Sequence, residues 1–189
     1  MLSAVLYGNI QPRSSLSPSK FSEEVFEEFV QANAHASKEN KKTDLVIPII
    51  EGKIRDGRCF AGEIPLTNLD HLTDSTLSPG NLDLFYGACP EQLNRRIRNE
   101  LRGHIVPSTQ KDLLMAPKFF LTAKGLDGSL AMAGRQACYH GALGARSIQN
   151  LQSYRQPEPV YDNNTYTATS MYGGHHILYT SHTGQPTGP

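Results

Sequence analysis

Neither sign of charge is in surplus in this chain: its 189 residues carry 18 basic and 18 acidic side chains. A protein that grips nucleic acid across its surface carries a net basic footprint, so that class is disfavoured for the chain as a whole, while a local patch stays open. Cysteine is scarce. Cys59, Cys89 and Cys138 stand far apart, with no CxxC pair and no zinc-ligand spacing, and read as buried free thiols of a reducing compartment. Apolar runs long enough to span a bilayer are missing. Met1 to Leu6 is too short and too uncharged for a secretory signal. The expected location is intracellular, nuclear or cytoplasmic, not secreted and not in a membrane. The sequon Asn163-Asn164-Thr165 then reads as an unmodified surface turn. GxSxG, Walker A, GxGxxG and HExxH motifs are absent, so the corresponding hydrolase, nucleotide-binding and zinc-protease chemistries lack their signatures.

What is present is polar and loop-rich: 38% apolar residues, 19% charged, 16 glycines and 12 prolines. The length suits one domain with a real core. Ser14 to Ser19 reads as a mobile lead-in. Phe21 to Ala36 reads as a helix capped by Ser22, with Val25, Phe26, Phe29 and Val30 as its apolar stripe and Glu23, Glu24, Glu27 and Glu28 on a solvated face. Lys38 to Lys42 reads as a charged connector. Leu45 to Ile50, interrupted by Pro48, stays undecided between strand and short helix, and Arg55 to Gly80 shows mainly turn residues.

The centre is clearer. Leu82 to Tyr86 reads as a strand ending at Gly87. Pro90 suits the first turn of a helix to about Arg102, with Leu93, Ile97 and Leu101 on one face and Arg95, Arg98 and Arg102 on another. Lys118 to Lys124 contains the buried-strand run Phe119-Phe120-Leu121. Ser129 caps a long helix to about Tyr154, whose interior glycines imply close approach to a neighbouring sheet or a break. Thr165 to Tyr172 and His176 to Thr180 read as a hairpin about Gly173-Gly174. Disorder is expected from Ser181 onward. A long helix between strands favours a mixed central sheet with helices packed on it, an α/β (α+β) fold.

Four segments, Asn81 to Gly87, Lys118 to Gly125, Arg135 to Arg146 and Tyr161 to Tyr166, resemble a fungal family of uncharacterised domains. That family in turn resembles a divergent branch of the PD-(D/E)xK nuclease-like superfamily, over about residues 21–182. The resemblance implies a lead-in at 1–20, one restriction-endonuclease-like domain at 21–182 and a tail at 183–189. It implies an acid on one strand, a second acid two residues before a lysine on the next, and a glutamine and a tyrosine on the following helix. The acids would hold Mg²⁺, which polarises a phosphate and activates water.

Carried onto this chain, Asp83 takes the first acid and would be the metal ligand, and Lys124 takes the lysine. Thr122 stands where the second acid belongs. Gln136 and Tyr139 match the helical pair with a spacing one residue short. Arg95, Arg98 and Arg102 can grip phosphates or form a solvated face. Read without the resemblance, Asp83 and Lys124-Gly125 are ordinary strand-end residues, and Gln136 and Tyr139 are core polar groups. Glu51, Glu63 and Glu91 are candidates for a migrated acid.

The expectation is therefore a degenerate, non-catalytic interaction module, needing Mg²⁺ only if active. An active DNA nuclease is the alternative, and a degenerate copy without function a third reading. DNA is a possible partner. His175-His176 would point to opposite faces of a strand and so not share an ion. Cys138 near His140 is no dyad by spacing alone, and Cys138 is explained as a small buried residue.

Overall fold

A computed structural model of the chain describes residues 22–36, 38–51, 59–74, 81–109, 114–125, 128–159, 161, 164–173 and 177–183. In chain order they form α1 (Glu23–His35), α2 (Glu39–Leu45), α3 (Ile47–Glu51), β1 (Phe60–Ala61), β2 (Ile64–Pro65), β3 (Asn81–Leu82) and β4 (Leu84–Ala88). A 3-10 turn (Pro90–Gln92) follows, then α4 (Arg95–Glu100), α5 (Arg102–Ile105), β5 (Met115–Ala123), α6 (Leu130–Gln152), β6 (Thr165–Tyr172) and β7 (Ile177–Thr183).

The fold is mixed α/β. One sheet runs in the order β1-β4-β5-β6-β7. Its pairs are antiparallel except β5 with β6, which are parallel. A parallel pair needs a long crossover, and α6 supplies it. The short pair β2 and β3 continues the register of β1 and β4: Phe60↔Tyr86, Ala61↔Phe85, Ile64↔Leu82 and Pro65↔Asn81. β2 and β3 form a separate two-stranded sheet that keeps the same residue offset beyond a break at Gly62-Glu63 and Asp83.

Residues alternate across β4 and β5 and sort into two cores. Phe85 and Phe120 pack against Leu143 and Tyr139 of α6. Leu84, Leu121, Ala123 and Tyr172 pack on the other face against Phe29, Val46 and Ile47 of the N-terminal helical segment. Helices therefore cover both faces of the sheet, as expected when its central strand is apolar on both sides.

Several expectations hold. Ser22 accepts a hydrogen bond from the Val25 N–H at 3.4 Å and caps α1. Glu23, Glu24, Glu27 and Glu28 are exposed. Ser129 caps α6 through the Met132 N–H, and the C-terminal pair of strands forms.

Other expectations are corrected. In the α1 stripe, Phe26 and Val30 remain 49% and 46% exposed. The segment read as a charged connector lies mostly in α2, and Leu45 to Ile50 is helical except at Val46. The Arg55 to Gly80 stretch contains β1 and β2, too short for any periodicity to show. The strand read through Leu82 to Tyr86 breaks at Asp83. The helix read from Pro90 to Arg102 breaks twice: Leu93 is extended, Asn94 caps a new helix through the Arg96 N–H, and Leu101 leaves helical geometry. The face of Leu93, Ile97 and Leu101 nevertheless packs together against Ile105, Met115 and Leu151. β7 runs through Ser181 to Thr183, inside the expected tail, because those residues complete the ladder with β6. Cys59 and Cys89 are half-buried and Cys138 is exposed, so none is a buried thiol. The lead-in, Asn163, His175-His176 and residues 184–189 lie outside the described residues.

Lys42 shows what the helical layer costs. It is fully buried, its Nζ lies 5.2 Å from the Tyr172 ring centroid, and that Nζ has no hydrogen-bond partner among the described residues. The Tyr172 hydroxyl donates instead to Asn33 Oδ1 at 2.7 Å. Burial lowers the Lys42 pKa and raises that of Tyr172. A cation held over a ring recovers only part of its lost hydration.

α6 approaches the sheet most closely at Gly144. A Cβ there would stand 2.6 Å from Phe120 Cε2, 2.8 Å from the Pro117 carbonyl oxygen and 2.8 Å from Thr167 Cγ2. At Gly134 the nearest atom would be Met171 Sδ, at 3.8 Å. Gly144→Ala should therefore destabilise the protein by about 2 kcal/mol, overpacking outweighing helix propensity. Gly134→Ala should stabilise it by up to about 1 kcal/mol. Urea unfolding of the two variants checks the opposite signs.

Candidate functional site between the sheet and α6

The sheet face beneath α6 carries the polar residues singled out in the sequence. Phe85 pairs with Phe120 and Leu84 with Leu121. Asp83 stands just before Leu84, in a break where strand alternation lapses: Leu82 and Phe85 enter one core and Leu84 the other. Lys124 follows two residues after Thr122, and its N–H still donates to the Tyr172 carbonyl at 2.7 Å. Asp83 falls in the break between β3 and β4, where its Oδ2 accepts the Ala123 N–H at 2.8 Å. The break therefore lets the aspartate tie down the end of the neighbouring strand.

The N-terminal half of α6 lies over this end of the sheet. Ala133 and Ala137 pack against Met171, which pairs with Thr122. Small residues there bring the helix close, so the larger polar residues interleaved with them are pressed toward the sheet. Gln136 is half-buried, and its Oε1 is shielded from solvent without a hydrogen-bond partner. His140, one turn later, is only 2% exposed, and its Nδ1 likewise lacks a partner. The His140 ring stands 6.0 Å from the Phe120 ring, centroid to centroid. Burial, and then the nearby charge of Lys124, push its pKa down to about 4. His140 is therefore a neutral imidazole at physiological pH.

The structure thus brings Asp83, Thr122 and Lys124 to one end of the sheet, with Gln136 on the part of α6 that lies over that end. It places Tyr139 differently. That side chain is half-buried and packs on the apolar cluster of Leu66, Leu82 and Phe85. The position one turn after Gln136 belongs to His140, which the sequence reading set aside. The signal for it was present: a bulky polar residue at i+4 from Gln136, in a helical stripe otherwise made of Ala133, Ala137, Gly141 and Gly144.

The three arginines lie elsewhere. Arg95 and Arg98 are on α4 and Arg102 opens α5. Those helices pack through Ile97, Leu101 and Ile105 on Met115, Ile148 and Leu151, the start of β5 and the end of α6. β5 is nine residues long, so roughly 30 Å of strand separates that end from Lys124. Arg95, Arg98 and Arg102 do not join the site. The first two sit around an exposed network in which Arg96 and Tyr154 both hydrogen-bond Glu100.

The candidate replacement acids also part company. Glu91 is exposed on the 3-10 turn beyond the far end of β4. Glu51 ends α3 in the opposite helical layer. Glu63, exposed and with a left-handed φ of 54°, follows Gly62, whose Cα packs against the Asp83 carbonyl.

These donors do not fit Mg²⁺. A hard divalent ion wants several oxygens, with carboxylates supplying the charge. Asp83 has one oxygen engaged by a backbone N–H, Thr122 is neutral, and the Lys124 ammonium opposes a cation. Among the described residues no group of three or more His, Cys, Asp or Glu converges.

The His140 shift carries a pH consequence. Its folded pKa lies below the unfolded value of 6.5, so the native state binds fewer protons than the unfolded chain, and stability falls as pH drops from about 6.5 through 4. Wild type should lose of order 2 to 3 kcal/mol relative to His140→Leu over that window, read from urea midpoints at each pH. Lys124→Met should raise the His140 pKa, seen by NMR titration of the imidazole.

No family model matches the chain, and neither does any curated protein or any solved structure.

Proposed function

We propose that this chain is a degenerate PD-(D/E)xK nuclease-like domain of the fungal family it resembles, intracellular in location, and that it serves as a binding module rather than a nuclease. The observation that supports the reading is one arrangement: Asp83 at a strand break, Thr122 and Lys124 at the end of the adjacent strand that Asp83 hydrogen-bonds, and Gln136 on the helix that follows. The superfamily pattern calls for that order of elements, with an acid where Thr122 stands. A hydroxyl there is neutral, and Asp83 is tied to the backbone of Ala123. The site therefore has too little negative charge to retain magnesium.

What remains can still bind. Gln136 Oε1 and His140 Nδ1 are polar atoms shielded from solvent without partners among the described residues. Such atoms are costly to bury alone and are satisfied by a ligand or water. DNA is the partner class that the ancestry points to, and the zero net charge of the chain argues for weak, local contact rather than a broad electrostatic grip.

A second reading, an active Mg²⁺-dependent DNA nuclease, is favoured by one specific observation: Gly62 packs against the Asp83 carbonyl, which leaves the next residue, Glu63, as the candidate migrated acid.

Calorimetric titration of the purified chain with Mg²⁺ and Mn²⁺, beside cleavage assays on plasmid and linear DNA, separates the two. The expected outcome is no saturable metal heat and no cleavage. Saturable binding lost in both Asp83→Ala and Glu63→Gln, with cleavage abolished by Lys124→Ala, would establish the nuclease instead.

A further inference from the structure

Two of the three cysteines meet in the fold. The sulfurs of Cys59 and Cys89 lie 3.3 Å apart although 30 positions separate them in sequence. Cys59 precedes β1 and Cys89 follows β4, the adjacent strands of one antiparallel pair. The ladder between Phe60 and Tyr86 therefore sets their separation. Cys89 is positioned from its other side too. Its N–H donates to Gln92 Oε1 at 2.7 Å, and its side chain packs against the cluster containing Leu66, Leu82 and Phe85. Both thiols are half-buried, open enough for a small reagent and sheltered from a large one. Cys138, by contrast, is exposed on α6.

We propose that Cys59 and Cys89 form a redox-responsive disulfide that clamps the β1–β4 hairpin. Bond formation needs the sulfurs to close by about 1.3 Å, to the usual 2.05 Å or so, within reach of side-chain rotation. The oxidant is a small disulfide of the glutathione type. One cysteine thiolate attacks a sulfur of that disulfide, forming a mixed disulfide and expelling one glutathione thiolate, which takes up a proton. The second cysteine thiolate then attacks the protein sulfur of the mixed disulfide and expels the second glutathione. Two protein thiols are oxidised, one glutathione disulfide is reduced, and two glutathione thiols are released.

The closed loop contains β1 through β4, and with them Glu63 and Asp83. Oxidation would tie the outer end of that ladder covalently, whereas its inner end is held by the Asp83–Ala123 hydrogen bond. Because β1 is a two-residue edge strand, little else fixes it, and a covalent clamp acts where the sheet is weakest. The inference rests on the hairpin geometry alone and stands whether or not the nuclease-like reading does.

The test uses the full chain equilibrated in glutathione redox buffers, quenched with acid and mapped by mass spectrometry. The expected product loses two hydrogens and yields a peptide pair joined through Cys59 and Cys89, with Cys138 outside the link. Cys138→Ser should retain the link, and Cys59→Ser and Cys89→Ser should each lose it. The melting temperature of the oxidised chain and of oxidised Cys138→Ser should rise by about 5 °C or more and return with dithiothreitol. Stable single glutathione adducts at Cys59 or Cys89 without a link would overturn the proposal. So would a link through Cys138 or between chains, or a correct link with an unchanged melting temperature.

Discussion

β5 is the element on which the rest of the structure depends. It is buried along nearly its whole length and on both faces. Such a strand cannot lie on a surface, so it must be central in its sheet and covered from both sides. Its antiparallel neighbour β4 and parallel neighbour β6 follow from that position. The parallel neighbour in turn forces a long crossover, and a 23-residue helix meets the requirement. Once α6 covers one face, the apolar residues on the other face need a second layer, which the three N-terminal helices provide.

Close cover on both sides makes polar groups in the interior expensive. On the α6 side, small residues let the helix approach, and Gln136 and His140 are carried inward with atoms left unpartnered. A neutral imidazole near an ammonium is the electrostatic outcome. On the opposite side Lys42 is buried against Tyr172, and its amine has no hydrogen-bond partner among the described residues. Natural folds keep few such groups, and those they keep mark places where something other than packing has been selected or where a former partner has been lost. Asp83 differs, since its carboxylate accepts a backbone N–H of the adjacent strand and so contributes to the sheet itself.

The strand break at Asp83 joins the two ends of the β1–β4 ladder in one device. At one end a carboxylate replaces a regular ladder bond. At the other the two strand termini bring a pair of thiols within contact. Between them Phe60 pairs with Tyr86 and Ala61 with Phe85. A ladder this short is held mainly by the residues at its ends and by the apolar side chains beneath it.

The sequence by itself determined the pieces whose signals are local. Serine caps and helical spacing marked α1 and α6, a continuous apolar run marked β5, and a two-glycine turn between β-rich runs marked the last pair of strands. It also laid out Asp83, Thr122, Lys124 and Gln136 in the order of a motif. The short strands β1 to β3, the double break between Pro90 and Ile105 and the helical nature of Lys38 to Lys42 carried no such signal, because elements of two to seven residues are too short to show a clear period. Tertiary structure alone decided which side chains meet. It sent Arg95, Arg98 and Arg102 to the other end of the sheet, brought Cys59 to Cys89, and buried Lys42. Each of those outcomes depends on the register between distant segments and on how closely a helix can approach a sheet, and neither is written in any single stretch of chain.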